Sequence, residues 1–189
     1  MDYGNGRRRR VVLLGHSYIR RLRQYIQDNR LQNLLLSEVD LVVQGYGGAT
    51  ITQLRQRLCS NLVDRADVVF LHIGENDYEA QQPIDAARSI VALAMDLIHM
   101  YRVGCVVVSQ LVRFPVHVTD WSIRVNQQLQ RLIARLEPRN IRLWRQRRGF
   151  YNHRSRLFDC RGVHVDPTFM RVYYNAVRRA VLSAMRYQH

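Results

Sequence analysis

The sequence predicts an α/β fold in which one parallel sheet of five strands carries helices on both faces. Short apolar runs, of the kind that fill strands buried on both sides, alternate with stretches whose apolar residues recur at helical spacing. This alternation extends along nearly the whole chain of 189 residues, which is an ordinary length for one domain. No Pro/Gly/Ser-rich linker and no internal repeat interrupts it. We therefore expect residues 1–10 to be a flexible basic lead-in and residues 11–189 to form a single domain.

The first strand and the first helix lie in the stretch VVLLGHSYIRRL. An apolar run begins at Val11 and stops at Gly15, and a helical pattern opens at Ser17 and continues to about residue 35. Ligands of open α/β sheets bind at the carboxyl ends of the strands. Ser17 is therefore the first candidate for a functional residue.

The remaining strands and helices follow in alternation. The further strands are predicted at residues 39–43, 67–73, 105–109 and 140–144. The helices are predicted at residues 50–63, at residues 84–101, through residue 136 with Thr119 or Asp120 as the cap, and from residue 168 onward. The last helix has a predicted buried stripe of Phe169, Val172, Tyr173, Val177, Val181 and Met185. Five strands with a serine after the first favour a flavodoxin-like three-layer α/β/α sandwich with strand order 2-1-3-4-5.

Four loops are expected to meet at the carboxyl edge of this sheet. They hold Ser17 after the first strand, Gly48 in GYGGAT after the second, Asn76 in GEND after the third, and His164 in RGVHVDP before the last helix. A serine near a histidine, with backbone and amide donors directed at one point, is the arrangement that acyl transfer requires. Each residue alone also has a structural explanation, because Ser17 could cap a helix, His164 could be a hydrogen-bonded loop residue, and Asn76 could belong to an ordinary turn.

The four blocks GHS, GYGGAT, GEND and GVH, in this order, resemble those of the SGNH (GDSL-type) hydrolase family. The opening LLGHSYIRRL also resembles the SGNH-like domains carried by metazoan mobile elements. The resemblance implies a serine esterase or acylhydrolase that acts on a small ester without a cofactor. Ser17 would be the nucleophile, His164 the general base, and the amides of Ser17 and Gly48 with the Asn76 side chain would form the oxyanion hole.

The chain departs from the family pattern at three positions. His16 stands where the first block usually has aspartate, and Phe169 stands where a glycine commonly follows the histidine. Arg161 occupies the position, three residues before the histidine, where the family has the aspartate that orients the imidazole. Asp159 or Asp166 could supply this acid instead, although neither has the matching spacing.

The charge of the chain points to an anionic partner. The net charge is +14, and all 29 basic residues are arginine, whose planar fork suits phosphates and stacks on bases. Residues 139–161 hold eight arginines and one acid, interleaved with Trp144 and other aromatic residues, as in proteins that hold single-stranded RNA or DNA. A solvated rim and a biased codon composition would also produce this pattern. The candidate contacts are Arg145, Arg147, Arg148, Arg154, Arg156 and Arg161.

Several further classes of protein are not indicated. No apolar run is long enough to span a bilayer and no signal-peptide pattern opens the chain, so we expect an intracellular protein, cytoplasmic or nuclear. Cys59, Cys105 and Cys160 have no metal-ligand spacing and are expected to be reduced thiols. The other histidines show no metal-ligand spacing either, and we assign them no metal. The sequence does not indicate an oligomeric state.

Overall fold

The computed structural model describes residues 7–112, 119–136, 140–145 and 167–186. Its five strands form one parallel sheet in the order β2-β1-β3-β4-β5, as predicted. The strands are β1 (Arg9–Gly15), β2 (Val39–Gly45), β3 (Val68–His72), β4 (Cys105–Ser109) and β5 (Ile141–Trp144).

Helices cover both faces of the sheet. They are α1 (Ser17–Asp28), α2 (Ile51–Gln56), α3 (Ser60–Val63), α4 (Pro83–His99), α5 (Thr119–Ile133) and α6 (Pro167–Arg186), with short 3-10 helices at Gln32–Leu35 and Glu75–Asp77. Side chains of β1 alternate between the faces, because successive residues of a strand point in opposite directions. Val11 and Leu13 pack with α1 and α6, whereas Val12 and Leu14 pack with the helices on the other side. The predicted three-layer α/β/α sandwich is confirmed.

Two glycines bring the carboxyl ends of three strands close to the start of α1. A Cβ atom on Gly15 would lie 2.0 Å from the carbonyl oxygen of His72, and one on Gly45 would lie 2.1 Å from the backbone nitrogen of Arg20. Neither position has room for a side chain. The ends of β1, β2 and β3 can therefore converge directly beside Ser17.

The first two helical segments are shorter than predicted. Helix α1 ends at Asp28, where the Asn29 side chain donates a hydrogen bond to the Tyr25 carbonyl, and the Asn33 side chain then accepts one from the backbone of Leu41. The predicted helix over residues 50–63 is divided into α2 and α3. The carbonyls at the end of α3 accept hydrogen bonds from the Arg10 guanidinium rather than from a continuing helix.

Other boundaries differ by a few residues. Strand β1 begins at Arg9, since its backbone pairs with Glu38 and its guanidinium donates to the Met185 carbonyl. In α6 the predicted buried residue Val172 is 39 % exposed. It lies one position away from the buried set Met170, Tyr173, Tyr174 and Val177, whose spacing of three and four residues defines the inner face of that helix.

Among the residues that the structure describes, none of the helices is both long and apolar enough to span a membrane. In the same part of the chain, Cys59 is exposed, Cys105 is buried, and both are free thiols.

Candidate active site

Ser17 is the first residue of α1 and lies half-buried at the tip of β1. The cap of this helix is His16, not Ser17, because the His16 ring nitrogen Nδ1 accepts a hydrogen bond from the Tyr18 N–H at 3.5 Å. The interpretation of Ser17 as a helix cap is therefore wrong, and its hydroxyl is free for other contacts. The same Nδ1 atom lies 3.2 Å from the Ser17 Oγ.

The second nitrogen of the His16 ring contacts a buried carboxylate. His16 Nε2 lies 2.6 Å from Glu75 Oε2, and the side chains of both residues are 1 % exposed. Since Nδ1 accepts from the Tyr18 N–H, the consistent tautomer carries its proton on Nε2 and donates it to Glu75. In this state the Ser17 hydroxyl donates to Nδ1.

Glu75 also binds a second histidine. Its other oxygen, Oε1, lies 2.7 Å from His72 Nε2 and accepts a hydrogen bond of 3.0 Å from the Val112 N–H. The remaining ring nitrogen of His72, Nδ1, is hydrogen-bonded to the Tyr173 hydroxyl. The residues Ser17, His16, Glu75, His72 and Tyr173 thus form one continuous hydrogen-bonded chain, here called the buried relay.

The electrostatics of the buried relay leave Glu75 as its charged member. Burial acts to raise the pKa of Glu75, but the facing rings of His72 and His16 and their hydrogen bonds outweigh it and hold that pKa well below its usual range. Burial, reinforced by the nearby Glu75, raises the pKa of Tyr18 and Tyr173 well above the usual value, so both phenols stay neutral.

Aromatic rings enclose this charge. Tyr18 stacks on His72 with ring centroids 5.3 Å apart, and Phe169 and Tyr173 stack on each other at 5.8 Å. Phe169, which stands where the family commonly has glycine, is fully buried in this group. The rings exclude water from the Glu75 carboxylate and strengthen its hydrogen bonds.

The loops after β2 and β3 are hydrogen-bonded to each other. The Asn76 side-chain nitrogen donates a hydrogen bond of 2.9 Å to the Ala49 carbonyl, and the Asp77 carboxylate accepts one of 3.1 Å from the Ile51 N–H. Burial raises the pKa of Asp77 to about 6, against the opposing effect of the Ile51 N–H. Asn76 and Gly48, two predicted oxyanion donors, therefore lie in bonded loops.

The conformation of Gly48 and the open space beside it leave its backbone accessible. Its φ angle of +72° is one that other residues rarely adopt, and a Cβ atom built there has no heavy atom within 4 Å. Asn76 follows Glu75 directly, so the loop that holds one predicted donor also holds the acid that contacts His16. Three of the four predicted catalytic residues, namely Ser17, Gly48 and Asn76, are thus connected through these loops.

The remaining predicted residues lie outside the described part of the chain. These are His164, the possible orienting acids Asp159 and Asp166, and the arginines Arg147, Arg148, Arg154, Arg156 and Arg161. Arg145 is described and is exposed. Trp144, predicted to belong to a nucleic-acid loop, is half-buried in β5 and packs against the core.

Sequence reasoning missed Glu75, His72 and Tyr173 and assigned no role to His16. A signal existed for Glu75, because an acid three residues after the end of a buried strand has to be either exposed or partnered. His72 within the buried run VVFLH gave a similar signal. Tyr173 was indistinguishable from the other residues of its apolar stripe.

His16, His72 and Glu75 are also the described residues whose donor atoms could surround a metal ion, since these atoms lie within 4.8 Å of one another. The distances of 2.6 and 2.7 Å between the imidazole nitrogens and Glu75 are those of charge-assisted hydrogen bonds. Two ligands of a tetrahedral zinc ion would be about 3.4 Å apart. The geometry of the three residues therefore fits shared protons better than a shared metal.

The sequence matches no protein-family model and no curated protein. Solved structures with the same architecture include a lipase/acylhydrolase from Enterococcus faecalis, with 16 % identity, a TM-score of 0.70 and coverage of 92 % of this chain and 95 % of that one. A member of the lipolytic G-D-S-L family from Veillonella parvula has 14 % identity, a TM-score of 0.69 and coverage of 90 % and 96 %.

A carbohydrate esterase of family 3 from Talaromyces cellulolyticus is similar over 94 % of this chain and 98 % of its own, with 14 % identity and a TM-score of 0.67. At such identities the likeness concerns the fold. The finer resemblance to domains of metazoan mobile elements stays a prediction. The chain has the SGNH (GDSL-type) hydrolase fold that its four sequence blocks predicted.

Proposed function

We propose that this protein is a serine hydrolase that cleaves small carboxylic esters, with Ser17 as the nucleophile. The observation that carries the proposal is the position of the Ser17 hydroxyl, which stands at the tip of β1 within 3.2 Å of an imidazole that is itself held by a carboxylate. A nucleophile, a base and a third group that orients the base are the parts that activate a serine. The similar solved structures include a lipase/acylhydrolase and a carbohydrate esterase, which agrees with this class of reaction.

In the proposed reaction, Ser17 Oγ attacks the ester carbonyl carbon while its proton passes to a histidine. The negative charge that develops on the carbonyl oxygen accepts hydrogen bonds from the N–H groups of Ser17 and Gly48 and from the Asn76 side chain. The open space around Gly48 and the anchoring of Asn76 to Ala49 support these roles. Each such donor contributes about 3 to 4 kcal/mol to the stability of the transition state.

A base is needed twice in this reaction. It first takes the proton of Ser17 and passes it to the departing alcohol, and it then takes a proton from the water that hydrolyses the acyl-enzyme. Sequence resemblance assigns this role to His164, with Asp159 or Asp166 as the possible orienting acid. Among the described residues, the imidazole within hydrogen-bond distance of the Ser17 hydroxyl is that of His16.

Labelling with a fluorophosphonate probe tests the proposed nucleophile. The wild-type protein should be labelled covalently and Ser17→Ala should not, because the probe phosphorylates an activated serine. Ser60→Ala is the matched control, since Ser60 also stands at the start of a helix but is exposed. Labelling of the control should equal that of the wild type. A wild-type protein that remains unlabelled at neutral and alkaline pH would refute the proposal.

A second candidate function is the binding of single-stranded RNA or DNA, and the pairing of α1 with α6 favours it. These two helices pack side by side, with Tyr25 and Tyr174 in ring contact across them at 6.0 Å. Helix α6 contains no acid, and its arginines Arg171 and Arg179 are exposed, as is Arg23 on α1. The face therefore offers exposed positive charges with no acid on α6, and a phosphate backbone binds to such charges.

Fluorescence anisotropy with a labelled single-stranded RNA tests this second function. Replacing Arg171 and Arg179 by Gln should weaken binding and reduce the slope of log K against log salt by about 0.7 for each lost phosphate contact. Arg88→Gln is the control, because Arg88 is an exposed arginine of α4 on the opposite face of the sheet. Equal losses in both variants, or binding that is insensitive to salt, would argue against a nucleic-acid face at α1 and α6.

A further inference from the structure

We infer that His16 accepts the proton of Ser17 and that Glu75 orients it, so that Ser17, His16 and Glu75 form a complete catalytic triad without His164. The inference rests on the proposed serine hydrolase function and names the base of that same site. It assigns a catalytic role to the residue directly before the nucleophile. It also assigns a positioning role to the acid in the turn after β3.

The two nitrogens of the His16 ring make two different contacts, as those of the imidazole in a catalytic triad do. One nitrogen has to lie within hydrogen-bond reach of the nucleophile, about 2.6 to 3.2 Å, and the other has to bind the orienting acid. Nδ1 is 3.2 Å from Ser17 Oγ, and Nε2 is 2.6 Å from Glu75 Oε2. Both requirements are therefore met by residues of the described chain.

The tautomer of His16 is fixed by its surroundings. The Tyr18 N–H can only donate, so it requires a lone pair on Nδ1, and the Glu75 carboxylate can only accept, so it requires the proton on Nε2. The hydrogen bond from the Tyr18 N–H is long and weak at 3.5 Å, so its loss when Nδ1 takes a proton costs little free energy. His16 therefore presents an unprotonated nitrogen to the serine in its resting state.

Glu75 is held in place on its other side. Its second oxygen is bound by His72 Nε2 and by the Val112 N–H, and His72 is in turn bound by Tyr173. The carboxylate therefore cannot rotate away from His16. Its negative charge, buried at 2.6 Å from Nε2, stabilises the imidazolium that forms when His16 takes a second proton.

The groups that face His16 include one acid in direct contact, Glu75. Glu75 and Asp77 lie in the turn after β3, His72 lies at the end of β3 with its ring centroid 5.2 Å away, and Tyr18 lies on the helix that His16 caps. Tyr18 is neutral at all relevant pH values. Glu75 is therefore the charged group that directly contacts the His16 ring.

The proton and the electron pairs balance in the proposed step. As Ser17 Oγ bonds to the carbonyl carbon, its proton moves to His16 Nδ1 and the carbonyl oxygen takes the electron pair. When the carbon–oxygen bond to the alcohol breaks, Nδ1 returns this proton to the leaving oxygen. Water then attacks the acyl-enzyme, gives one proton to Nδ1, and releases the acid as that proton returns to Ser17.

The sequence before the alternative base lacks the family's acid at the position where the resemblance expects it. Arg161 stands three residues before His164, where an orienting acid would be expected from the resemblance. An arginine is a cation and cannot orient an imidazole as an acid does, whereas the Glu75 carboxylate lies 2.6 Å from the His16 ring nitrogen. The chain therefore carries its acid next to the histidine that precedes the serine.

Rates of fluorophosphonate labelling of His164→Ala and His16→Asn test the inference. Asparagine is a good helix cap, so His16→Asn removes the base while it keeps the capping function. We expect His164→Ala to label within about tenfold of the wild-type rate and His16→Asn to label at least a thousandfold more slowly, the range found for loss of a triad member. If His164→Ala is as inert as Ser17→Ala, or if His16→Asn labels within tenfold of the wild type, the inference is wrong.

Failure of the proposed function gives a different result, because the wild-type protein itself would then not be labelled. In that case both the proposed hydrolase function and the role of His16 would be wrong. A measurement on the unmodified wild type covers the case in which His16→Asn does not fold. Nitrogen-15 imidazole spectra should assign His16 as the Nε2–H tautomer and should show it doubly protonated after phosphonylation of Ser17. A resting His16 that carries its proton on Nδ1 would overturn the inference.

The positioning role of Glu75 has its own readout. In Glu75→Gln the imidazole of His16 loses its anionic partner, so the labelling rate should fall and the pH profile of labelling should move to lower pH. A variant that only perturbs folding would lower the amount of labelled protein without moving this profile. An unchanged profile would mean that Glu75 does not act through His16.

Discussion

Replacement of Glu75 by Gln should be among the most destabilising single substitutions in the described chain. Glu75 is 3 % exposed and accepts hydrogen bonds from two imidazoles and from the Val112 N–H. Glutamine has the same size, but its amide nitrogen cannot accept, so one imidazole N–H loses its acceptor and faces another donor. Removing one partner of a buried charged pair costs about 3 to 5 kcal/mol. We expect a loss of about 3 kcal/mol, since the remaining amide oxygen still accepts.

Urea unfolding followed by circular dichroism measures this loss. In a domain of this size, 3 kcal/mol corresponds to a fall in Tm of roughly 6 to 12 °C. Glu79→Gln is the matched control, because Glu79 lies four residues away, makes one side-chain contact with Tyr78, and is exposed. Its unfolding free energy should change by less than about 1 kcal/mol. A loss below about 1 kcal/mol in Glu75→Gln would refute the view that the buried relay holds a carboxylate.

The pH dependence of stability gives a second test of Glu75. Its pKa is lower in the folded protein than the usual value of 4.5, so below that pH the unfolded chain binds more protons than the folded one. The stability that Glu75 contributes is therefore complete above about pH 4.5 and is lost as the pH falls further. The difference between wild type and Glu75→Gln should shrink on acidification. A difference that stays constant from pH 7 to pH 3 would contradict an ionised Glu75.

Four further substitutions have distinct expected outcomes. Burial raises the pKa of Asp77 from 3.8 to about 6. Between these two pH values the folded state binds more protons than the unfolded chain. The free energy of unfolding should therefore fall by roughly 2 to 3 kcal/mol as the pH rises from about 4 to about 6. Asp77→Asn should flatten this slope, which pH-dependent urea titrations would detect. Asn76→Ala should lower kcat for ester hydrolysis by about 10²- to 10³-fold, measured with a chromogenic acetyl ester, while the labelled serine remains Ser17. Gly15→Ala should cost 3 kcal/mol or more, on the order of the largest overpacking effects, whereas Gly48→Ala should cost only about 1 kcal/mol in unfolding free energy. Equal costs at the two glycines would contradict the close approach of Gly15 to His72.

The fold could be predicted from the sequence because the strands of a doubly covered parallel sheet are buried on both sides. The run from Val11 to Leu14 is apolar without a break, and each of its side chains is buried. Helix ends were less predictable, since they depend on side chains that bind the backbone, such as the Asn29 amide that closes α1. Val172 shows the same limit within a helix, where a shift of one position moves a side chain by about 100° around the axis.

The candidate site was predictable only where it depends on the ends of strands. Ser17, Gly48 and Asn76 follow three strands whose carboxyl ends meet at one edge, so their convergence follows from topology alone. The buried relay depends instead on side-chain direction. His16 could have pointed to solvent, and Glu75 could have capped a turn, without any change in the alternation of strands and helices.

The contacts of the buried relay explain why a charged residue is found inside this particular fold. Glu75 binds the end of β1 through His16, β3 through His72 and the segment after β4 through the Val112 N–H, and His72 in turn binds the Tyr173 hydroxyl of α6. An apolar residue at this position could pack against these elements but could not fix the orientation of either imidazole. A structural role alone would be fulfilled by His72 and Val112. The third partner, His16, is the one whose remaining nitrogen lies 3.2 Å from the Ser17 hydroxyl at the tip of β1, and this contact is what makes the buried acid relevant to the reactivity of Ser17.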